Sequence, residues 1–359
     1  MRLISIDSLR GLAIFIMLIA DSIPDTAAAC PQLVHSIWDG ITLTDTAFPC
    51  FVFIMGVSSV FSSRALTGSW AALMRRAALL FLLGLIYNAL PSLLAFLLHP
   101  DFTAPQLYNS LIYHGRFYGV LQRLALCYGL GLVISRISRN RLHILMASFA
   151  LMLFSSLGYH WFCPEAPFSP DTNISTAIDL SFLGAAHNYE GKIFDPEGLY
   201  GTIDTTASFL LGVLAGIILK NSSSSARIKE LAAYAILFLV LAYAWQQFDI
   251  VSKPLWTPPF VLYNAAFDML LLSLLLKIEN TPLKNILLPL ICYGTNPLLI
   301  YLLNGFFLSL GYTLLYNGDP ILMLAIQVFS SGTAFALSWA LLFLIPAVYL
   351  YIRQFRWHI

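Results

Sequence analysis

Three residues near the start of the chain carry the groups of an acid–base site. Asp21, His35 and Asp45 are fourteen and ten residues apart. A Pro-containing loop leads to His35 and Trp38-Asp39-Gly40 follows it, enough chain to return between two adjacent helix ends. A carboxylate beside a histidine fixes its tautomer and raises its basicity, which suits a general base. The residue types leave other roles open. His35 could cap a helix or contact headgroups, and Asp45, in Thr42-Leu43-Thr44-Asp45, could be a helix N-cap.

A second set lies further along. Arg116 and Arg123 flank Gly119-Val120-Leu121-Gln122, seven apart and therefore on one face if the segment is helical. They could hold a phosphate or carboxylate deep in the protein, or pair with Asp21, Asp204 or Asp268. Asp195-Pro196-Glu197-Gly198 reads as a helix start, with Asp as N-cap, Pro at the first helical position and Glu favoured by the dipole. His99, His114, His143, His160 and His358 fall near the ends of apolar runs, where interfacial placement is the ordinary explanation. No metal is expected: there is no H-E-x-x-H and no His/Cys set at zinc spacing. The sequence also lacks a G-x-S-x-G elbow and a P-loop, which disfavours a serine hydrolase or an ATP-driven pump.

The elements that must position these residues are membrane helices. Of 359 residues, 59% are hydrophobic and 10% charged, with mean hydropathy +0.79, far from the roughly 25% charge of a soluble domain. The net charge of +1 leaves no basic face for nucleic acid. Apolar segments suited to spanning lie near 10–28, 45–63, 74–98, 117–135, 142–162, 199–219, 231–250, 259–277, 285–311 and 321–351. The last two are long enough to be tilted, broken or partly interfacial. The expectation is a single all-α transmembrane domain over residues 1–359, a polytopic bundle of about ten spans with both termini cytoplasmic and a lipid environment. That orientation puts fifteen of the 19 lysines and arginines on the cytoplasmic side and leaves only Arg116, Arg123, Lys192 and Lys253 outside.

The first apolar run resembles a signal segment, but Asp21, Pro24 and Asp25 separate it from Ala27-Ala28-Ala29-Cys30, so a retained span is expected. The five cysteines fall singly and form no disulfide framework. Two external loops, 28–44 and 163–198, hold most of the polar residues and are expected to fold inward over a cavity. No inverted repeat of the transporter type is evident.

Ser5-Ile6-Asp7-Ser8-Leu9-Arg10-Gly11-Leu12, His35-Ser36-Ile37-Trp38-Asp39-Gly40, Thr44-Asp45-Thr46-Ala47-Phe48-Pro49 and Phe53-Ile54-Met55-Gly56 together resemble the transmembrane heparan-α-glucosaminide N-acetyltransferase family. Gly119-Val120-Leu121-Gln122-Arg123-Leu124, Asp195-Pro196-Glu197-Gly198-Leu199 with Gly201-Thr202-Ile203, and Gly212-Val213-Leu214-Ala215-Gly216 continue the resemblance in the same order over nearly the whole chain. Members of that family take acetyl-CoA from the cytoplasmic side and acetylate the amino group of a terminal glucosamine on the other side.

The resemblance implies that His35 is the active-site histidine, placed just before Trp38-x-Gly40, with Asp45 beside it. Asp21 stands where the lysosomal relatives have an asparagine, a change that would make His35 more basic or favour a cationic aminosugar. The phosphorylated end of acetyl-CoA would meet Arg10, Arg75 and Arg76, with Arg123 deeper along its path, and the pantetheine arm would run toward His35. Trp38, His187, Asp195, Glu197 and Asn296, the last beside Pro297 in a helix break, would line the sugar site. His35 would accept the amine proton or be transiently acetylated. The resemblance further implies a homodimer. Because the chain carries neither the luminal extension nor the long glycosylated loop of the lysosomal type, a bacterial inner membrane is expected. The competing reading is an aminosugar transporter without acyl transfer, and a third is an acyltransferase with another acyl group or acceptor.

Overall fold

The computed structural model describes residues 3–23, 29–329 and 331–357. Arg2, the stretch from Pro24 through Asp25 to Ala28 and His358 lie outside the described residues, as does the side chain of Arg64. The order of helices is α1 (Ile4–Ser22), α2 (Ala47–Phe61), α3 (Ser63–Thr67), α4 (Trp70–Leu98), α5 (Ala104–Tyr108), α6 (Val120–Ile137), α7 (Arg141–Phe162) and α8 (Ile174–Phe182). It continues with α9 (Thr202–Asn221), α10 (Ser224–Trp245), α11 (Pro258–Glu279), α12 (Leu288–Thr295), α13 (Pro297–Thr313), α14 (Ile321–Gln327), α15 (Gly332–Leu342) and α16 (Leu344–Ile352). Among the described residues a two-residue hairpin, Leu315–Tyr316 with Asp319–Pro320, is the one piece of sheet. The protein is an all-α polytopic bundle.

Among the described residues eight helices or helix runs are long and apolar enough to cross a bilayer, and Pro282–Thr295 with Pro297–Thr313, bent by 69°, makes a ninth if it crosses as one. Helix α1 is long enough to cross, its 19 residues rising about 28 Å, but with Asp7, Arg10 and Asp21 it is more charged than those spans. It begins six residues before the expected position because Asp7 and Arg10 are accommodated inside the helix. The Arg10 guanidinium bonds Asp7 (3.2 Å), the Gly294 carbonyl (3.3 Å) and Ser58 Oγ (2.8 Å). The first amides of α1 are satisfied from another helix end, with Ile4 N–H and Ser5 N–H each donating to the Glu279 carboxylate at 3.0 Å. The break expected near Pro297 is present, with Asn296 out of helical conformation and Pro297 opening α13. The last apolar run divides into α14 and the span Gly332–Ile352.

Helix α9 is the hub. It is buried almost all round and packs on α2, α7, α6 and α11, as an all-round apolar helix must. Its approach to α2 is so close that a Cβ on Gly212 would lie 2.0 Å from the Phe53 carbonyl oxygen, and one on Gly56 2.1 Å from that of Phe209. Glycine at both positions lets two backbones touch, and close approach of this kind is how small residues hold membrane helices together.

The two ends of the bundle differ in chemistry. One end joins the start of α1 to the end of α11, and there Arg136, Arg139 and Lys220 donate to the carbonyls of Ala65, Leu66 and Val60, while Arg141 pairs with Glu230. The other end gathers Asp21, Asp45, Arg116 and Lys253 under the two long loops. Those loops are tied to each other by the Trp38 indole N–H, which donates to the Phe168 carbonyl at 2.8 Å. A third loop, 246–257, is tied on through Gly40 N–H to the Val251 carbonyl (2.7 Å) and Val251 N–H to Asp39 (3.1 Å).

Candidate active site

His35 and Asp45 meet. The imidazole Nδ1 lies 2.8 Å from Asp45 Oδ1, with Asp45 fully buried and the histidine side chain 44% exposed. Asp45 Oδ2 accepts from Ser36 N–H (3.1 Å), Thr42 N–H (3.0 Å) and Thr42 Oγ1 (3.0 Å). The carboxylate therefore ties the loop back on itself and caps no helix. With Asp45 as acceptor, Nδ1 carries the hydrogen and Nε2 keeps its lone pair.

Lys253 joins this pair from the third loop. Its Nζ is 2.9 Å from His35 Nδ1, 3.1 Å from Nε2 and 3.5 Å from Asp45 Oδ1. The in-plane directions of the two ring nitrogens diverge, so an amine nearly equidistant from both lies against the ring and occupies neither. Burial pulls the ammonium below the ordinary lysine value, while Asp45, Glu197 and Asp21 act to hold its charge.

Asp21, one residue before the end of α1, is exposed where the rest of the helix is buried or half-buried. It accepts from Asn304 Nδ2 at 3.1 Å, and Tyr87 and Tyr301 stack nearby with ring centroids 4.9 Å apart. Asp21 has no hydrogen bond to His35 among the described residues. Lys253 stands within electrostatic reach of both.

Arg116 and Arg123 both converge on the Asp195–Gly198 turn. Arg116 holds Asp195 with two bonds, Nε to Oδ2 at 3.2 Å and Nη2 to Oδ1 at 2.8 Å, and pairs with Glu197 through Nη2. Its partners are thus not Asp21, Asp204 or Asp268. Arg123 donates from Nη2 to the Gly198 carbonyl at 2.9 Å and lies 5.2 Å from the Trp256 ring centre. The two arginines do not share a helix face, because α6 begins only at Val120 and Arg116 lies in the preceding loop. Burial opposes the Arg116 charge, but Glu197 and Asp195 raise its pKa above the usual arginine value. Burial likewise opposes the Glu197 charge, and Arg116, Arg123 and Lys253 overcome it, holding the carboxyl below its usual range.

The Asp195–Gly198 segment is a turn and no helix N-cap, since α9 starts at Thr202. Gly198 N–H donates to the Asp195 carbonyl at 3.0 Å, and Asp195 Oδ1 accepts from Glu197 N–H at 2.8 Å. Asp, Pro and Gly at first, second and fourth positions are the residues a type I turn favours. Asp179 on α8 supports the turn from below, accepting from Leu199 N–H at 2.9 Å. A Cβ on Gly198 would lie 1.8 Å from Asp179 Oδ2, so glycine is required there. Burial pushes the Asp179 carboxyl up to about 7 against that hydrogen bond.

The remaining expected site residues separate by role and by place. Asp195 is fully buried and, with Tyr189 N–H also donating to it at 2.7 Å, it organises the loop; Glu197 is the acid of this turn that keeps some exposure. His187 pairs its Nδ1 with the Gly115 carbonyl at 2.8 Å and accepts from Phe117 N–H at 3.1 Å, which fixes the strand of chain carrying Arg116. Trp38 packs edge-on to Phe194 and ties loops together. Arg10, Arg75 and Arg76 lie at the opposite end, Arg75 and Arg76 exposed and Arg76 bonded to Tyr128 Oη at 3.1 Å. Arg123 is at the His35 end and apart from them. Asn296 is also apart from His35: its amide is taken by the Phe355 carbonyl and Trp357 N–H, both at 2.8 Å. Lys253 and Asn304 were absent from the expected set. Lys253 carried one signal, being one of the four cations that the expected orientation leaves on the external side.

Residues 2–236 match a family model described as heparan-alpha-glucosaminide N-acetyltransferase, catalytic. The heparan-alpha-glucosaminide N-acetyltransferases of Mus musculus and Homo sapiens are each 24% identical to the chain over 361 residues, covering 84% of it. The chain spans about half the length of these curated relatives, 53% and 52%. The matched segment contains His35, Asp45, Arg116 and the Asp195–Gly198 turn on which Arg116 converges, and the chain belongs to the heparan-alpha-glucosaminide N-acetyltransferase catalytic family.

Proposed function

We propose that this protein moves an acetyl group from acetyl-CoA on the cytoplasmic side to the amino group of a glucosamine-type sugar, or a glycan end bearing one, on the other side. The observation that carries the reading is the His35–Asp45 pair, with Nδ1 engaged at 2.8 Å and Lys253, which Asp21 and Glu197 influence electrostatically, against the ring. An acceptor amine enters mostly as an ammonium and must lose protons to attack, so a base is required at the acceptor end. Carboxylates at Asp21 and Glu197 favour a cationic aminosugar there. Asp195 and His187 act one layer back, by holding Arg116 and hence Glu197.

Acetyl-CoA is a co-substrate that supplies the acetyl thioester. The residues suited to its phosphates are Arg75 and Arg76, exposed at the basic end. Arg10 contributes positive charge from inside the bundle. The concentration of cations at this end supports its assignment to the cytoplasm. Arg123, set under the Asp195–Gly198 turn, is reassigned from the donor path to the support of the acceptor end. By family resemblance the protein is taken to be a homodimer integral to a membrane.

The test is release of free CoA by the detergent-purified protein given acetyl-CoA and glucosamine. We expect release in wild type and its loss in His35→Ala. Uptake of sugar into vesicles without CoA release would replace this reading with the transporter.

A further inference from the structure

We propose that the Lys253 ammonium is the electrophilic clamp of the acyl transfer, the group that receives the negative charge developing on the thioester carbonyl oxygen. The proposal rests on the reading of His35 as base. It adds a residue beyond the family-matched segment, which ends at 236.

The position is built. Thr257 N–H donates to the Ser252 carbonyl (3.2 Å), Trp256 N–H to the Lys253 carbonyl (3.1 Å) and Ser252 N–H to Thr257 Oγ1 (3.0 Å), which closes the loop around the lysine. Trp256 holds a φ of +58°, a conformation that non-glycine residues keep only when their surroundings enforce it. Its ring is 1% exposed, with the indole N–H on Ser208 Oγ at 3.1 Å and the Arg123 guanidinium over its face. The lysine stem is thus anchored at its root, and the side chain is 17% exposed, open to the same space as His35.

An ammonium has three donors. One faces Asp45 Oδ1 at 3.5 Å and the head lies against the His35 ring, which leaves donor capacity toward the open side. The acceptor amine must approach His35 Nε2 to hand over its proton, and the thioester carbonyl must be within attacking distance of that amine. Nζ, 3.1 Å from Nε2, is therefore close to where the carbonyl oxygen must sit. As the amine nitrogen bonds to the carbonyl carbon, the C=O electron pair moves to oxygen beside Lys253. The acceptor ammonium releases its first proton to solvent on entry, the second goes to Nε2 as the tetrahedral adduct forms, and when collapse re-forms C=O and breaks the C–S bond that proton passes to the leaving thiolate. Lys253 keeps its own protons throughout. A fixed cation in an enclosed site needs no reorganisation as charge develops, which is why such groups are effective.

The alternative is a counter-ion for Asp45, Glu197 and Asp21 with a purely structural role. Single-turnover CoA release, with acetyl-CoA binding measured separately by calorimetry, distinguishes the two in wild type, Lys253→Met, Lys253→Arg and His35→Ala. The clamp predicts that Lys253→Met slows the chemical step by about 10²- to 10³-fold with acetyl-CoA affinity kept within about threefold. Lys253→Arg, which keeps the charge, should recover at least about a tenth of the wild-type rate. A Met rate within about threefold of wild type, or equal losses in Met and Arg together with loss of acetyl-CoA binding, overturns the proposal. Activity lost in His35→Ala but kept in Lys253→Met overturns the clamp alone. Absence of CoA release from wild type overturns the acetyltransferase reading with it.

Discussion

Asn304 donates through Nδ2 to Asp21 at 3.1 Å while its Oδ1 accepts from Trp339 Nε1 at 2.8 Å. The indole is a donor only, so the amide cannot flip, and Asp21 is held as an acceptor. Asn at position 21 can present its own oxygen to the same N–H, so Asp21→Asn should fold normally and remove only the charge near Lys253. We expect the acceptor KM to rise several-fold and the pH–rate profile to move, with kcat for a neutral-amine acceptor changed less. A superimposable profile would remove the coupling between Asp21 and the His35 cluster.

Arg116 is the strongest single tie of the loop-covered end, since one guanidinium serves Asp195 with two bonds and Glu197 with a third. Removing one partner of a buried ion pair typically costs about 3–5 kcal/mol, because the other charges stay buried and unpaired. Arg116→Met should therefore lower the thermal midpoint in detergent and disorder the turn. Arg116→Lys should rescue only part of it, because an ammonium cannot make the two-bond fork. Equal midpoints for wild type and both variants would show that the turn is held by other contacts.

The pairing of His35 with Asp45 was legible because both lie in one loop ten residues apart. The ties of Arg116 were not, since its partners are 79 and 81 residues away and several carboxylates were equally plausible from the sequence. The shared helix face of Arg116 and Arg123 failed for a local reason: Gly119, fully extended, starts the helix between them. The Asp195–Gly198 residues suit either a helix start or a turn, and only the burial of Asp195 against Arg116 decides for the turn. Most spans were readable, because bilayer thickness sets their length whatever they pack against, whereas the 69° bend at Asn296 and the division of the last apolar run depend on packing.

Asp179 should give the loop-covered end a pH dependence. Its carboxyl is raised from 3.8 to about 7 in the folded protein, mainly by burial, so the folded state binds the proton more tightly than the unfolded one. The resulting stability is fully present below about pH 4 and is lost as pH rises toward 7. Asp179→Asn keeps an oxygen for Leu199 N–H and cannot ionise. Its contribution should be flat across that window, with a thermal midpoint above wild type near neutral pH and little difference at the acidic end. Parallel curves for the two proteins would place the titration elsewhere.

Arg75 has an exposed side chain and Arg76 engages Tyr128 through both its hydroxyl and its ring, 4.9 Å from the centroid. The two should separate in a binding assay. Arg75→Gln should weaken acetyl-CoA binding several-fold with no change in stability, and the loss should shrink at high salt as screened charge requires. Arg76→Gln should weaken binding and also lower the thermal midpoint slightly. Unchanged affinity in the double variant would move the phosphate site to other cations of that end.

Asn296 and Asn304 stand eight residues apart on either side of the first turns of α13 and do different work. Asn296 bonds the C-terminal segment through the Phe355 carbonyl and Trp357 N–H. Asn304 bonds Asp21 and Trp339. Asn296→Ala should free residues near 353–357 to proteolysis and leave the acceptor KM unchanged. Asn304→Ala leaves Trp339 and Asp21 each without a partner and should raise the acceptor KM while the C-terminal segment stays protected. The measurement is limited proteolysis alongside steady-state kinetics on both variants. A raised acceptor KM in Asn296→Ala would mean that the helix break communicates with the His35 end, and crossed effects in both would show that α13 moves as a unit.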